Sequence, residues 1–402
     1  MKDTFFDNEQ LHLINHAQSG NVIGEISNER ISCDETTTPA FNTCCTFPLK
    51  QAGEKFNTKG SLVFDISAIS GSGGTYIRGV NALALFLFKR FELQQDSKIK
   101  ATTYPDNIYH NLKYYKNSDE YSCISQPLAI NTSGNRATLA GSAQTLVIPL
   151  SLLFSLFCKP LQRSMLKGNL EIKAYLRDNL RYVIQTDKTA AVLSITDAYL
   201  DLEYVEPSKS VIEASNKMYI ERGFISQPYF NVEHIIVEKS MSSGLTSYVA
   251  NLPEVSKKRI IDIEFFMRAS ALKDTNDVSD YTDTFIAPTS WNLKSSGKYL
   301  NGLQKDVTKT YYDKVIVPRL ELSGQINLLS GTGVENTSLI SFANDHKTEK
   351  TEYKRYHGGR WFEENDVQLT VNFSSLAAQT DLVIIIREAK RFVIKDGVIT
   401  NL

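Results

Sequence analysis

Two histidines near the N-terminus have a spacing that metal ligands can use. His12 and His16 lie four residues apart, so on a helix their side chains would share one face. A zinc protease of this spacing carries a glutamate directly after the first histidine, but Leu13 stands there. Because the general base is missing, we interpret the two histidines as solvated or packing residues, and the other four histidines stand alone.

Two glycine-containing stretches bear a superficial likeness to catalytic loops. Gly71–Gly74 is not followed by the Lys-Ser/Thr pair of a phosphate-binding loop. His357–Arg360 resembles the oxyanion loop of esterases, but no Gly-x-Ser-x-Gly nucleophile motif occurs. Adjacent carboxylates such as Glu363 and Glu364 lie in polar stretches, and no cysteines have zinc-site spacing. The sequence therefore predicts no catalytic residue, no metal site and no cofactor.

One aromatic and basic cluster remains as a candidate binding surface. It consists of Tyr353, Tyr356, Arg360, Trp361 and Phe362. Aromatic side chains of this kind can stack on bases or sugars. Tyr, Trp and Arg are also enriched at protein–protein interfaces. We favour a subunit interface, in which an arginine or aromatic residue of the cluster is buried between chains, and keep base or sugar stacking as the alternative.

Chain length and composition predict an ordinary globular protein with two domains. At 402 residues the chain exceeds what one hydrophobic core usually serves, and 42% of it is hydrophobic. The five cysteines are odd in number and scattered, so they are more typical of reduced, buried thiols in a cytosolic product than of disulfides. On a strand, the adjacent Cys44 and Cys45 would point to opposite faces.

Charge and hydropathy argue against nucleic-acid binding and membrane insertion. The net charge is −1, and acidic residues outnumber Lys2 and Arg30 among the first thirty, so no basic arm is expected. No signal-peptide core is evident at the N-terminus. The longest apolar run, Leu146–Cys158, is shorter than the roughly 20 residues of a membrane-spanning helix.

Alternating apolar and polar residues predict strands in both halves of the chain. The clearest runs are 170–176, 193–204, 229–238, 259–267, 366–373 and 381–388. Further strands are expected at 41–49, 60–67 and 314–322, with one or two buried strands in 76–93. Short helices are expected at 7–17 and 299–312, with a linker or helical turn at 211–223. Polar stretches at 102–136, 271–299 and 331–364 are expected to be surface excursions.

A weak internal repeat divides the chain. Residues 168–206 and 366–390 each show an alternating strand, a break and a long strand carrying glutamate near its end. We therefore predict four segments: an N-terminal arm with a short helix at 1–40, a first β-sandwich at 41–207, a linker at 208–226 and a second β-sandwich at 227–402.

The sequence resembles double jelly-roll major capsid proteins of tailless icosahedral DNA viruses, many of which contain an internal membrane. The resemblance is carried by Leu146–Phe157 with its Ile-Pro-Leu start, by Gly168–Ile172 about ten residues later, and by the ending Glu388–Gly397. It implies an all-β fold of two tandem eight-stranded jelly-roll sandwiches with long loops and a few short helices.

The resemblance also implies function and partners. The protein would be made in the host cytoplasm and located in the virion, where three chains form a pseudo-hexagonal capsomer. Its partners would be the homotrimer, neighbouring capsomers, penton and minor capsid proteins, and an internal membrane contacted by the N-terminal segment, without direct nucleic-acid binding. Two other classes stay open: a carbohydrate-binding or adhesin-like sandwich, and a jelly-roll enzyme of the cupin or glycosidase kind. The first would call for an export signal and the second for a His-x-His metal set or a carboxylate pair, and none is evident.

Overall fold

The computed structural model of the chain describes most of the two halves. It covers residues 23–49, 55–70, 78–106, 108–109, 112, 127–130, 141–158, 161–177, 183–184, 192–207, 209–222, 224–272, 285–300, 306–316, 337–342, 359–363 and 366–401.

The described residues form short helices and many antiparallel strands. Strands of the first half are β1 (Ile23–Ser32), β2 (Cys44–Leu49), β3 (Phe56–Ile66), β4 (Arg78–Gly79), β5 (Phe88–Gln95), β6 (Lys98–Thr103), β7 (Gln144–Pro149), β8 (Leu161–Gln162), β9 (Leu170–Leu176), β10 (Val183–Ile184) and β11 (Ile195–Pro207). Strands of the second half are β12 (Phe224–Met241), β13 (Ser247–Asn251), β14 (Lys258–Ala269), β15 (Phe285–Ile286), β16 (Ser290–Ser295), β17 (Lys298–Tyr299), β18 (Val307–Thr308), β19 (Ser338–Ser341), β20 (Arg360–Phe362), β21 (Gln368–Asn372), β22 (Thr380–Lys395) and β23 (Val398–Asn401).

Helical segments with described bounds are few in the described part of the chain. The α-helices are α1 (Leu83–Phe86), α2 (Leu150–Leu153), α3 (Lys209–Arg222) and α4 (Lys309–Tyr311). Tyr312–Ile316 is π-helical, and 3₁₀ turns occur at Ser155–Cys158, Arg163–Met165, Pro253–Val255 and Ser270–Leu272.

The first half is a jelly-roll sandwich. One sheet has the order β1-β11-β3-β7 and the other β2-β9-β5-β6, with β8 added beside β3. If these eight main strands are lettered B to I along the chain, the sheets read B-I-D-G and C-H-E-F, which is the double Greek key of a jelly roll. In β9, alternate side chains from Leu170 to Leu176 are buried in the core between the sheets.

The second half repeats this topology. One sheet contains β12-β22-β14 with β19, β15 and β20 beside β14, and the other contains β13-β21-β16 with β17 and β18 beside β16. The same lettering again gives B-I-D-G and C-H-E-F, with β19 as G and β18 as F. The fold is thus all-β in two units, as the alternating runs predicted, with the double jelly-roll architecture that the resemblance implied. A separate apolar core, which includes Phe265, Trp291 and Ile384, fills this sandwich.

The C-terminal hairpin ties the second sandwich to the first. β22 runs beyond its own sheet partner β14 and turns into β23 at Gly397, whose φ is +81°. Ile394 and Ile399 of this hairpin lie in the core of the first sandwich. The buried amide of Gln95, at the end of β5, donates to the Gly397 carbonyl over 2.7 Å and accepts from the Ile399 N–H over 2.8 Å.

Several local predictions were wrong. Residues 83–86, expected as strand, form α1, in which every side chain is buried, so no helical periodicity marks the sequence. The expected excursion 271–299 contains β16, and the start of the expected strand 314–322 is π-helical. The segment assigned to the N-terminal arm, 1–40, contains β1. Because β1 pairs with β11, residues 23–32 belong to a sheet of the first sandwich. The helix expected at 7–17 lies outside the described residues.

Candidate subunit interface

The described members of the aromatic cluster lie in β20, a short strand that pairs with the first residues of β14. β20 pairs antiparallel with Lys258–Ile260, in the larger sheet of the second sandwich. Gly359 precedes it with a φ of +85°, and a Cβ there would lie 2.9 Å from the Ile260 carbonyl oxygen. A glycine at this position therefore allows the chain to pass close to β14 as it enters β20.

Phe362 is an anchor within its own chain. Its side chain is buried in the second core and meets Phe342 edge-on, with ring centroids 5.5 Å apart. The guanidinium carbon of Arg360 lies 5.6 Å from the centre of the Phe362 ring. Phe362 thus fixes β20 on the sandwich and leaves no ring face for a partner chain.

Trp361 points the other way. It is 55% exposed, although indole rings are usually well buried in a folded chain. Arg360 beside it is also exposed. Tyr353 and Tyr356, the other two members of the predicted cluster, lie outside the described residues. The structure therefore presents Arg360 and Trp361 as the surface part of the cluster and assigns Phe362 to the core.

A second surface feature is the edge strand β13. Thr246 and Leu252, at its two ends, exchange backbone hydrogen bonds with the β21 side. By alternation, Ser247, Val249 and Asn251 direct their backbone groups away from β21. No described residue bonds to those outward groups, and the Val249 side chain is 52% exposed. An edge of this kind can pair with a strand of another chain.

The matching edge of the first sandwich is blocked at Thr46, near its centre. β2 occupies the same place in the first sandwich as β13 in the second. The Thr43 carbonyl accepts from the Leu176 N–H on the β9 side, so the backbone groups of Cys44, Thr46 and Pro48 face away from β9. The Thr46 N–H donates to Glu35 Oε2 over 2.8 Å, and its carbonyl accepts from the Asp34 N–H over 2.9 Å. Pro48 has no N–H to offer. The two sandwiches therefore share a topology but differ in which edge is open.

A buried ion pair lies on the outer face of the second sandwich. Arg387 of β22 is directly opposite Asp262 of β14 and donates to both carboxylate oxygens. Burial raises the pKa of Asp262 and lowers the pKa of Arg387. Because each charged group satisfies the other, the arrangement reads as structural rather than catalytic. The sequence signal for such a pair is a charged residue of opposite sign within each of two apolar runs, here Asp262 in 260–267 and Arg387 at the end of 382–386.

The described residues show no grouping that suggests catalysis. Among them, no three His, Cys, Asp or Glu side chains are placed to hold a metal ion. His12, His16, His357 and Gly71–Gly74 lie outside the described part of the chain. In that part, no helix has the length and apolar character needed to cross a bilayer.

Comparison with known proteins gives a result at the level of fold. No protein-family model matches the sequence, and no curated protein matches it. The structure is similar to the PBCV-1 VP54 crystal structure that was fitted into a reconstruction of the virophage Sputnik, at 12% identity, with 94% of this chain and 97% of that chain covered and a TM-score of 0.65.

Two further solved structures show the same likeness. The Faustovirus major capsid protein is 10% identical, covers 91% and 90% of the two chains and gives a TM-score of 0.63. The mavirus major capsid protein is 10% identical, covers 94% and 90%, and gives 0.52. At such low identities the likeness shows a shared double jelly-roll fold that extends over nearly the whole of each chain.

Proposed function

We propose that this chain is a viral major capsid protein, a structural component that assembles as a trimeric, pseudo-hexagonal capsomer in an icosahedral shell. The observation that carries the proposal is the match over nearly full length, in both sandwiches, to proteins described as major capsid proteins. A single jelly roll occurs in proteins of many functions. Two in tandem within one chain restrict the choice of function.

The repeated topology supports a pseudo-hexagonal tile. Each chain contributes two sandwiches with the same strand order. Three chains related by a three-fold axis would therefore place six similar sandwiches around one centre. The hairpin that joins the sandwiches favours this role, because a tile needs its two sandwiches to keep a fixed relation.

The exposed features of the second sandwich are the proposed contact surfaces. Arg360 and Trp361 provide an arginine and an indole on a strand that Phe362 holds in place. The open edge of β13 provides backbone donors and acceptors. Neighbouring copies, penton proteins and minor capsid proteins are the proposed partners, and the virion is the proposed location. An internal membrane reached by the N-terminal segment is a further proposed partner, and direct binding of nucleic acid is not part of the proposal.

The first test is the mass of the purified native protein by size-exclusion chromatography with light scattering. A compact species near three times the 45.2 kDa chain mass is the expected result. Negative-stain images of the same fraction should then show hexagonal outlines. A clean monomer over a wide concentration range would contradict the proposal and direct attention to sugar binding by the aromatic cluster.

A further inference from the structure

Two buried cysteines meet where the first sandwich closes. Cys33 follows the end of β1 and Cys45 lies inside β2, so the pair joins the two sheets of the sandwich. Both side chains are free thiols, with Cys33 5% exposed and Cys45 fully buried. As the sequence predicted, Cys44 points to the opposite face of β2 and is only half-buried. One thiol of the adjacent pair therefore faces Cys33 and the other does not.

The backbone holds the two cysteines side by side. The Asp34 N–H donates to the Thr46 carbonyl over 2.9 Å, which brings the residues after each cysteine together. Glu35 spans the same gap, because its Oε2 accepts from the Cys33 thiol over 3.1 Å and from the Thr46 N–H over 2.8 Å. The thiols of Cys33 and Cys45 are hydrogen-bonded to each other.

The surroundings differ for the two sulfur atoms. Cys33 lies in a turn where the Cys45 thiol and the backbone of Thr36 and Glu35 favour its thiolate, whereas burial and the hydrogen bond that the Cys33 thiol donates to the Glu35 carboxylate oppose the thiolate. The Cys45 hydrogen bond has the largest effect and, against burial, lowers the pKa of Cys33 to about 7. The same hydrogen bond, together with burial, raises the pKa of Cys45. This asymmetry gives one nucleophilic thiol and one thiol positioned to react second.

We propose that Cys33 and Cys45 form a redox-sensitive pair, which hydrogen peroxide or a comparable small hydroperoxide converts from two thiols to a disulfide. The Cys33 thiolate attacks a peroxide oxygen, the O–O bond breaks, and the Cys33 sulfenic acid forms as hydroxide leaves. Cys45 then attacks the Cys33 sulfur, the S–S bond forms as the S–O bond breaks, and water leaves. Two thiols lose two protons and two electrons in total, and one peroxide becomes two waters.

The disulfide would tie the chain between β1 and β2 to the sheet it closes. The turn containing Asp34 and Glu35 is what blocks the outward groups of Thr46 on the β2 edge. In the reduced protein this block depends on hydrogen bonds alone. Oxidation would fix it covalently, so a protein folded in a reducing compartment would gain stability and a permanently closed edge once it meets an oxidant. The chemistry does not depend on the proposed assembly.

The test treats the purified, fully reduced full-length protein with hydrogen peroxide, blocks remaining thiols with an alkylating agent, and maps the peptides by mass spectrometry. The expected product is a Cys33–Cys45 linked peptide pair, lighter by two hydrogens than the unlinked pair and released by a reducing agent. The thermal midpoint of the oxidised protein should rise by about 5 °C and return on reduction.

Variants separate the roles of the three cysteines. Cys44→Ser is the matched control and should form the link as the parent does. Cys45→Ser should stop at a Cys33 sulfenic acid that dimedone captures, and Cys33→Ser should leave Cys45 alkylatable after peroxide treatment. Two outcomes in the unsubstituted protein would overturn the proposal: Cys33 and Cys45 both remain thiols, or Cys33 is joined to Cys44 or to another cysteine. Because these are read on the unsubstituted protein, a variant that fails to fold does not leave the question open.

Discussion

Arg387 and Asp262 face each other across neighbouring central strands of the second sandwich, and neither is accessible to solvent. The guanidinium donates from Nε over 2.5 Å and from a terminal nitrogen to the other carboxylate oxygen. Removing one member of such a pair leaves an uncompensated buried charge, whereas replacing both can be neutral. Their relationship therefore makes the stability of this sandwich sensitive to single substitutions.

Arg387→Met should lower the free energy of unfolding by about 3–5 kcal/mol, because Asp262 loses its bidentate partner. The double substitution Asp262→Leu with Arg387→Met should recover most of that loss. Urea unfolding monitored by circular dichroism measures both. Arg30→Met is the control, since Arg30 pairs with Asp197 on the exposed surface and should change stability by about 1 kcal/mol or less. Equal losses in the single and double variants would show that the pair is not coupled.

Glu92 should give the first sandwich a pH-dependent stability. Burial alone would raise the pKa of Glu92, but hydrogen bonds from Arg90, Gln94 and Tyr175 outweigh it and lower the pKa. A lowered pKa means that the ionised side chain stabilises the fold above its unfolded pKa, about 4.3, and that this contribution is lost as pH falls through the folded pKa.

Glu92→Gln should therefore be less stable than the parent above about pH 5, and the difference should shrink on further acidification. Urea unfolding at a series of pH values, read as the parent minus the variant, isolates this effect from other titrating groups. Glu171→Gln on the neighbouring strand β9 provides the comparison, because its side chain is only half-buried. A parent–variant difference that stays constant down to pH 3 would exclude the assigned role of Glu92.

Substitutions at the adjacent residues Trp361 and Phe362 should affect different properties, subunit association for Trp361 and folding stability for Phe362. Phe362→Ala should cost about 3–5 kcal/mol of folding stability, because its ring is buried in the second core. Trp361→Ala should leave the secondary structure intact and weaken trimer association by about tenfold or more, as for an indole at an interface centre. Sedimentation velocity over a dilution series measures the association. If Trp361→Ala sediments as an unchanged trimer, the indole is not between subunits.

Gln95 should control how firmly the C-terminal hairpin is held. Gln95→Leu would leave the Lys167 carbonyl and the Ile399 N–H without the partner that the amide provides, at a cost of about 2–3 kcal/mol. Limited proteolysis should then cleave the last strand sooner than in the parent. Gln379→Leu is the matched control, since the amide of Gln379 bonds Ser240 at an exposed site. Unchanged cleavage in Gln95→Leu would mean that apolar contacts alone hold the hairpin.

The sequence predicted correctly the strands that have one buried face and one more exposed face. β9, from Leu170 to Leu176, alternates in burial as it alternates in sequence. α1 was missed because all four of its side chains are buried, so its sequence carries no period of either kind. β16 was missed because its alternating run, Ser290–Lys294, is short and lies within the polar stretch 271–299. The structure shows that Asn292 of this strand is buried and that Asp306 accepts from its amide over 2.5 Å.

The candidate interface was recovered in part for a similar reason. Composition showed that aromatic and basic residues cluster near position 360, but it gave no means to tell Trp361 from its neighbour Phe362. Their separation depends on which face of β20 meets the core, and pairing with β14 decides that. The open edge of β13 and the paired charges of β14 and β22 also result from contacts between residues far apart in the chain.

The position of β22 in the sequence determines when the second sandwich can form during translation. β22 is the central strand that β12 and β14 both pair with, yet it is made long after them. At roughly 5–20 residues per second, a ribosome would leave the apolar faces of β12 and β14 without their partner for on the order of ten seconds. The first sandwich, by contrast, has all its strands before β12 emerges. The emerging second half is thus the part of the nascent chain that most needs protection from aggregation, and no polypeptide interrupted before residue 380 could close its second sandwich or dock the hairpin on its first.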